Sequence, residues 1–366
     1  MKTLRIKDIC DKGSSNLKQK DVENQNGAYP VFGASGLIGK IDTYHQNKDY
    51  IAIVKDGSGI GRVTFMPAFS SVIGTLQYIL PKEGFNIKYI SYCLQSLDLA
   101  HYKQGAAIPH IYFRDYGEYE VNVEENPDDQ QRIVSYLDAE FAKIEALKAN
   151  AEKQLQAAKD LFQAALKELL TPKEGWVGKK LGELCDKTKN IKWTENSGTH
   201  QYIDLSSVSR DSLAITDSIT INYKNAPSRA KQIIKTHDIL FATTRPTLRR
   251  LCIVNNNYDN EICSTGFCVL RPNSTIFYGY LFFSLLTDDF YKYIEPLQAG
   301  ANYPAVTDGI VKQYVLFIPP SLSEQQRIAD RLDALSANVK ALQTNYTETI
   351  TLCNDLKQAL LKKVFG

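Results

Sequence analysis

The chain has 366 residues, of which 43% are hydrophobic and 23% charged. That length allows two or three domains with cores of their own, and the composition is that of a globular chain rather than a disordered or fibrous one. No apolar run approaches the roughly 20 residues of a membrane span, the opening MKTLRIKDICDKG has no signal-peptide core, and a net charge of +2 leaves room only for a local nucleic-acid surface.

Seven cysteines (10, 93, 185, 252, 263, 268 and 353) form no CxxC pair and stand apart from the five histidines. Reduced thiols in a cytoplasm are expected, with no metal site and no cofactor. Residues 1–125 read as a β-rich segment with 14 basic and 14 acidic residues. GASGLIGK, from Gly33, is one residue too long for a phosphate loop and has Ile41 where Ser or Thr would hold magnesium. YIAIVKDG (Tyr50 to Gly57) reads as a buried strand. The next stretch, DGSGIGR, is GxGxG rather than GxGxxG and runs into VTF, so a tight hairpin is expected and not a dinucleotide site. A strand in SVIGTLQYILP, a short helix in IKYISYCLQSL, a Gly-containing loop and a last strand in GEYEVNV complete the segment.

Residues 126–170 then read as one long helix. Pro127 should stop the preceding strand, and Asp128 and Gln131 have capping-box spacing. Phe141, Ile144, Ala151, Leu155, Ala158, Phe162, Ala165 and Leu169 form an apolar seam broken only at Lys148. Residues 171–320 form a second β-rich segment with 17 basic and 14 acidic residues. Its strands are expected in HDILFATT, STGFCVLRP and KQYVLFIPP, and its helix in YGYLFFSLLTDDF. Residues 321–366 read as a second long helix, opened by Ser323 and Gln326 at the same capping spacing. Its seam runs through Leu332, Val339, Leu342, Tyr346, Cys353, Leu356 and Val364.

The chain repeats itself. DQQRIVSYLDAE at Asp129 returns as EQQRIADRLDAL at Glu324, 195 residues later, and ICDK at Ile9 returns as LCDK at Leu184, 175 residues later. The second copy therefore carries about twenty extra residues in its middle. The expected fold class is α+β. Two β-rich domains are separated by two long helices that pair as a coiled coil, parallel or antiparallel, in a pseudo-two-fold internal repeat. Capping does not require Gln130, Arg132, Gln325 or Arg327, so their recurrence suggests one polar patch presented twice.

Loops differ between the copies where the frame does not. TTRPTLRR supplies Thr243, Thr244, Arg245, Arg249 and Arg250 on a turn between strands, where arginine can bond guanine bidentately or hold phosphate. Its counterpart in the first copy, KDGSGIGR, offers Lys55, Ser58 and Arg62. YHQNK adds Tyr44 and His45, YKQGAAIPHIYFR adds Lys103 and His110, and PLQAGANYP adds Asn302 and Tyr303.

These repeated helix starts, the ICDK and LCDK openings, the GA..P loops and the IAIVKDG and ILFATT strands resemble the specificity (DNA-recognition) subunit of type I restriction–modification enzymes, over essentially the whole chain. The resemblance implies two target recognition domains, at residues 1–125 and 171–320, each reading half of a bipartite duplex. It implies helices at 126–170 and 321–366 that dock two methyltransferase subunits, with Gln130, Arg132, Gln325 and Arg327 as docking residues. Restriction and translocase subunits would join through that complex, and the chain itself would not be an enzyme. The residues agree in offering no adenine-methylation motif, phosphate loop or nuclease carboxylate set. Two other readings are a self-contained DNA enzyme, which would need such a set, and a coiled-coil scaffold whose β-rich heads bind protein or glycan.

Overall fold

The computed structural model describes residues 1–23, 25–105 and 109–366. They form two compact units, Met1–Lys153 with Tyr346–Gly366, and Gln154–Asn345.

The first unit is built on an antiparallel sheet in which Cys10–Ser14, Leu76–Pro81, Tyr50–Val54 and Val63–Met66 lie side by side in that order. All of Tyr50–Val54 is buried. Its alternate side chains point to opposite faces. Ile51 and Ile53 pack with Tyr89, Ile90 and Leu94 of the helix Ile87–Gln95. Tyr50, Ala52 and Val54 pack the other way, with Val31 and Val72. A strand covered on both faces explains why that stretch is an unbroken apolar run. Val31 and Val72 belong to a smaller sheet of Gly36–Ile41, Tyr29–Gly33 and Ser71–Val72, whose last two strands run parallel. A ribbon pairs Lys2–Arg5 with Glu120–Val123.

The second unit repeats each of these parts. Cys185–Asp186, Phe267–Pro272, Ile239–Ala242 and Leu251–Ile253 form the main sheet in the same order. Ile239 and Phe241 face one core while Leu240 and Ala242 face another. Val177–Lys180 pairs with Val315–Ile318. Ile219–Ile221, His200–Ile203 and Ile262–Ser264 repeat the smaller sheet, again with one parallel pair. Two strands have no counterpart among the described residues of the first unit: Ala230–Ile233, and Lys189–Asn190 beside it at the edge. They account for part of the extra length of the second copy.

The long helices are Pro127–Leu170 and Leu322–Phe365, 44 residues each. At 1.5 Å per residue each is about 66 Å long. Within the first unit their pairing is antiparallel. Glu145 accepts from Lys357 (2.7 Å), and Lys148 donates to Asn354 (3.2 Å), so the contact steps up one helix as it steps down the other. Within the second unit Leu166 and Leu169, near the end of the first helix, share a core with Ile328, Ala329 and Leu332, near the start of the second.

Two expectations shift. Both helices begin two residues before the proposed capping boxes allow. Pro127 is the first helical residue rather than a strand stop, a position that suits its missing N–H. The Asn126 side chain caps it by accepting from the Asp128 N–H (2.9 Å), and Gln131 instead accepts from the Asn86 side chain (3.1 Å). In the second helix Ser321 takes the corresponding place, its carbonyl accepting from the Gln325 N–H (3.1 Å). Leu342 and Leu356, placed in the seam, are 40% and 49% exposed, while Leu361 and Phe365 are buried. At the level of Leu356 the inward place is held by Lys357, whose ammonium lies 5.0 Å from the centre of the Phe141 ring.

Candidate nucleic-acid interface

The repeated Gln-Gln-Arg divides into an inner and an outer residue. Gln130 is fully buried. It accepts the Asn86 N–H (2.6 Å) and donates to the carbonyls of Gly84 (3.1 Å) and Glu124 (2.9 Å). Gln325, also buried, accepts the Phe277 N–H (2.8 Å) and donates to the carbonyls of Thr275 (3.2 Å) and Pro319 (2.9 Å). Each glutamine thus ties the approach to a short helix and the exit of the last strand to the long helix. This corrects the docking role expected for Gln130 and Gln325: their amides are spent on backbone groups inside the fold, where unpaired polar groups are costly. Arg132 and Arg327 remain outside, with about four-fifths of each side chain exposed (80% and 79%). Arg132 pairs with Asp129, and Arg327 lies 3.9 Å from Glu324. Arg132 and Asp129 line an open pocket of about 450 Å³ with Glu124, Ile133 and Tyr136.

In each unit the structure stitches two of the variable loops together by the same three sets of backbone bonds. In the first, the N–H of Gly57 donates to Pro109 (3.2 Å), that of Ile111 donates to Lys55 (3.0 Å), and Gln104 and His110 exchange a pair (2.8 Å each). In the second, the N–H of Arg245 donates to Pro304 (2.7 Å), that of Val306 donates to Thr243 (3.0 Å), and Ala299 and Ala305 exchange a pair (2.9 Å each). Gly57 and Arg245 hold the same bonded place, and both have positive φ, +84° and +49°. Glycine adopts that conformation freely, whereas a residue with a Cβ is strained there by roughly 1–2 kcal/mol.

The stitch bonds the hairpin that carries Lys55, Ser58 and Arg62 to the loop that carries Lys103 and His110. His110 Nδ1 lies 2.7 Å from Asp56, and Lys55 lies 3.6 Å from the same carboxylate. Arg62 donates to the Ala34 carbonyl (2.9 Å), tying the hairpin to the neighbouring turn. Residues 106–108 of the GAAIP loop lie outside the described residues. Sequence reasoning missed Lys12, Tyr112 and Arg114, which line a pocket of about 260 Å³ with Lys55, Asp56 and Gln77. Arg114 sits 4.7 Å over the Tyr112 ring. The available signal was the pair of aromatics followed by arginine in IYFR, at the end of the YKQGAAIPHIYFR loop. Tyr44 and His45 stand at the opposite end of the strand Tyr50–Val54. Tyr44 packs between Tyr29 and Phe69, and His45 turns its ring onto the Tyr78 hydroxyl (3.1 Å).

In the second unit the stitch brings Thr244 and Arg245 to Asn302 and Tyr303. The Arg245 guanidinium lies 4.7 Å from the centre of the Tyr303 ring and donates to the Asn302 carbonyl (3.3 Å). Tyr303 is 69% exposed. Thr243 is buried, with N–H and hydroxyl both donated to the Gly266 carbonyl (2.9 and 2.8 Å), which corrects its expected place on the contact surface. Arg249 and Arg250 are not strand neighbours, because the strand begins at Leu251 and Arg249 has φ +53°. Arg249 pairs with Asp288 (2.6 Å) over the Tyr291 ring (4.4 Å). Arg250 donates inward to the Leu205 carbonyl, and its Nε is buried.

A family model of the type I restriction modification DNA specificity domain matches residues 1–157 and 173–352. The chain belongs to that family. It is 34% identical over 148 residues to the type I restriction enzyme HindI specificity subunit of Haemophilus influenzae, a match covering 39% of this chain and 31% of that protein. It is 20% identical over 418 aligned positions to the EcoDI specificity subunit of Escherichia coli, covering 100% of this chain and 87% of the other. A solved structure from work on complex assembly and conformational transition of the type I R-M system shares the fold, with a TM-score of 0.71, 18% identity, and coverage of 99% of this chain and 96% of that one. No helix among the described residues is long and apolar enough to cross a membrane.

Proposed function

We propose that this chain is the DNA-recognition subunit of a cytoplasmic type I restriction–modification complex and has no catalytic activity of its own. Its recognition domains, residues 1–125 and 171–320, each read one half of a bipartite duplex target. The helices at 126–170 and 321–366 dock two methyltransferase subunits, through which restriction and translocase subunits attach. Arg132 and Arg327 are the docking residues that stay exposed. The stitched loops are the reading surfaces: Lys55, Ser58, Arg62, Lys103 and His110 in the first domain, and Thr244, Arg245, Asn302 and Tyr303 in the second.

The observation that carries this reading is the recurrence of one backbone stitch under two different sets of side chains. A frame held constant while its cationic and aromatic decoration changes is what two readers of different half-sites require. The test is selection from a randomised duplex library by the full chain assembled with its methyltransferase subunits. A bipartite motif is expected, and grafting the Thr243 to Arg250 and Ala299 to Ala305 loops of a relative should change one half of it. Selection with no motif, or a graft that altered both halves, would refute the reading.

A further inference from the structure

The two extra strands of the second unit carry a charge pattern that the fold does not need. Segments 187–192 and 224–235, which contain them, hold seven basic residues and no acidic one. All seven are exposed. Lys189 stands opposite Ile233 in the paired strands, and Lys231 sits at a register shift two residues before Ile233. Of the carboxylates close to these strands, Asp186 flanks Lys187 and Asp259 lies near Lys235, and the others are engaged elsewhere. Glu261 lies with His200 (3.1 Å) and Asp238 with Arg271 (2.7 Å), while Asp259 also accepts from the Thr236 N–H (2.8 Å). A lysine on an edge strand also guards against edge-to-edge pairing. That purpose needs a residue or two within the strand. It does not explain Lys192 or Arg229, which lie beyond the strand ends.

This edge is continuous with the reading turn. Thr243, two residues before Arg245, bonds the Gly266 carbonyl. The neighbouring Thr265 N–H donates to the Arg229 carbonyl (2.9 Å), and the Trp193 indole N–H donates to the Ala230 carbonyl (2.7 Å). Arg229 and Lys231 therefore lie one bonded segment, Thr265–Gly266, away from the turn, and Lys192 lies beside them, the N–H of its neighbour Ile191 donating to the Lys231 carbonyl (2.8 Å).

We propose that this edge holds the phosphodiester backbone of duplex DNA beside the second half-site, as a sequence-independent rail. The proposal rests on the DNA-recognition reading above and adds a positioning surface to it. Among its described residues the first unit has neither strand, so the two half-sites are gripped unequally.

The test is a Lys192→Gln, Arg229→Gln, Lys231→Gln variant of the full chain, assembled with its methyltransferase subunits. Binding to the selected target and to a scrambled duplex is measured between about 50 and 200 mM salt. A control variant, Lys18→Gln, Lys20→Gln, Lys173→Gln, removes the same charge at exposed positions outside the docking helices and the reading residues. Each lost phosphate contact lowers the slope of log affinity against log salt by about 0.9, so a fall of roughly 2 to 3 is expected, equal on both duplexes. Base preference in both half-sites should not change. A slope no different from the control's, or a loss confined to the selected target, would overturn the rail. Failure of the unmodified assembly to select any sequence would instead sink the recognition reading, and the slope on scrambled duplex would still decide this one.

Discussion

Replacing Gln130 by Ala should damage the fold far more than replacing its neighbour Arg132. The variant strands three backbone groups that the amide now satisfies: the Asn86 N–H and the carbonyls of Gly84 and Glu124. A buried group left unpaired costs about 1–3 kcal/mol. Gly84 is exposed and its carbonyl can turn to water, so two full penalties at most remain, and a loss on the order of 2–6 kcal/mol is expected. Arg132→Ala removes one exposed ion pair and should stay within about 0.5 kcal/mol. Gln130→Glu sharpens the comparison. A carboxylate still accepts from Asn86 but offers no donor to two carbonyls, so it should be at least as damaging as Ala. The assay is urea unfolding followed by circular dichroism, with native-state hydrogen exchange at the Asn86 amide to localise the loss. The reasoning fails if Gln130→Ala lies within about 0.5 kcal/mol of the parent, or if Arg132→Ala costs as much.

Arg245→Gly should keep or slightly raise stability, because glycine accepts φ +49° freely, yet relax one base position of the second half-site by about 1–3 kcal/mol in competition binding. Unchanged preference would make the turn a solvated hairpin. Arg250→Ala should act oppositely, lowering stability through loss of its bond to the Leu205 carbonyl and leaving base preference intact, as separate unfolding and binding curves would reveal. Burial pushes the Cys10, Cys93 and Cys252 thiols up to about 12, so at pH 8 they should resist a thiol-specific chromogenic reagent until denaturant is added; rapid native labelling of any of them would contradict this packing. Arg132→Ala combined with Arg327→Ala should weaken assembly with methyltransferase subunits while leaving the melting temperature unchanged, and light scattering that finds an intact complex would remove both residues from the docking surface.

Strand and helix positions were legible because apolar runs such as YIAIV and ILFA are bounded by Gly, Pro or charged residues. The sense of helix pairing was not, since an apolar stripe has no direction. Direction shows only in individual contacts such as Glu145 with Lys357, which no periodicity encodes. Gln130 and Gln325 misled for a related reason. Glutamine is usually a surface residue, and only the backbone around it reveals that three unpaired groups converge there. A polar residue that recurs where capping does not need it can therefore mark an internal fastener as readily as a contact surface. Lys12, Tyr112 and Arg114 escaped notice because their meeting depends on a fold that carries Lys12 across from a different strand.

The loop stitch has a bearing on how such a chain can acquire new targets. Its bonds run from main chain to main chain, so no side chain at its joints is obliged to be a particular one. The same joint accommodates glycine at position 57 and arginine at position 245. Mutation can thus explore the reading surface while the scaffold beneath it stays closed, at a penalty limited to whatever torsional strain the new residue brings. Gln130 and Gln325 stand in the opposite situation, where the fastening is the side chain itself and substitution opens the joint. The protein thereby separates positions free to drift from positions that must not. New half-site preferences can arise by single steps in the former without passing through unfolded intermediates.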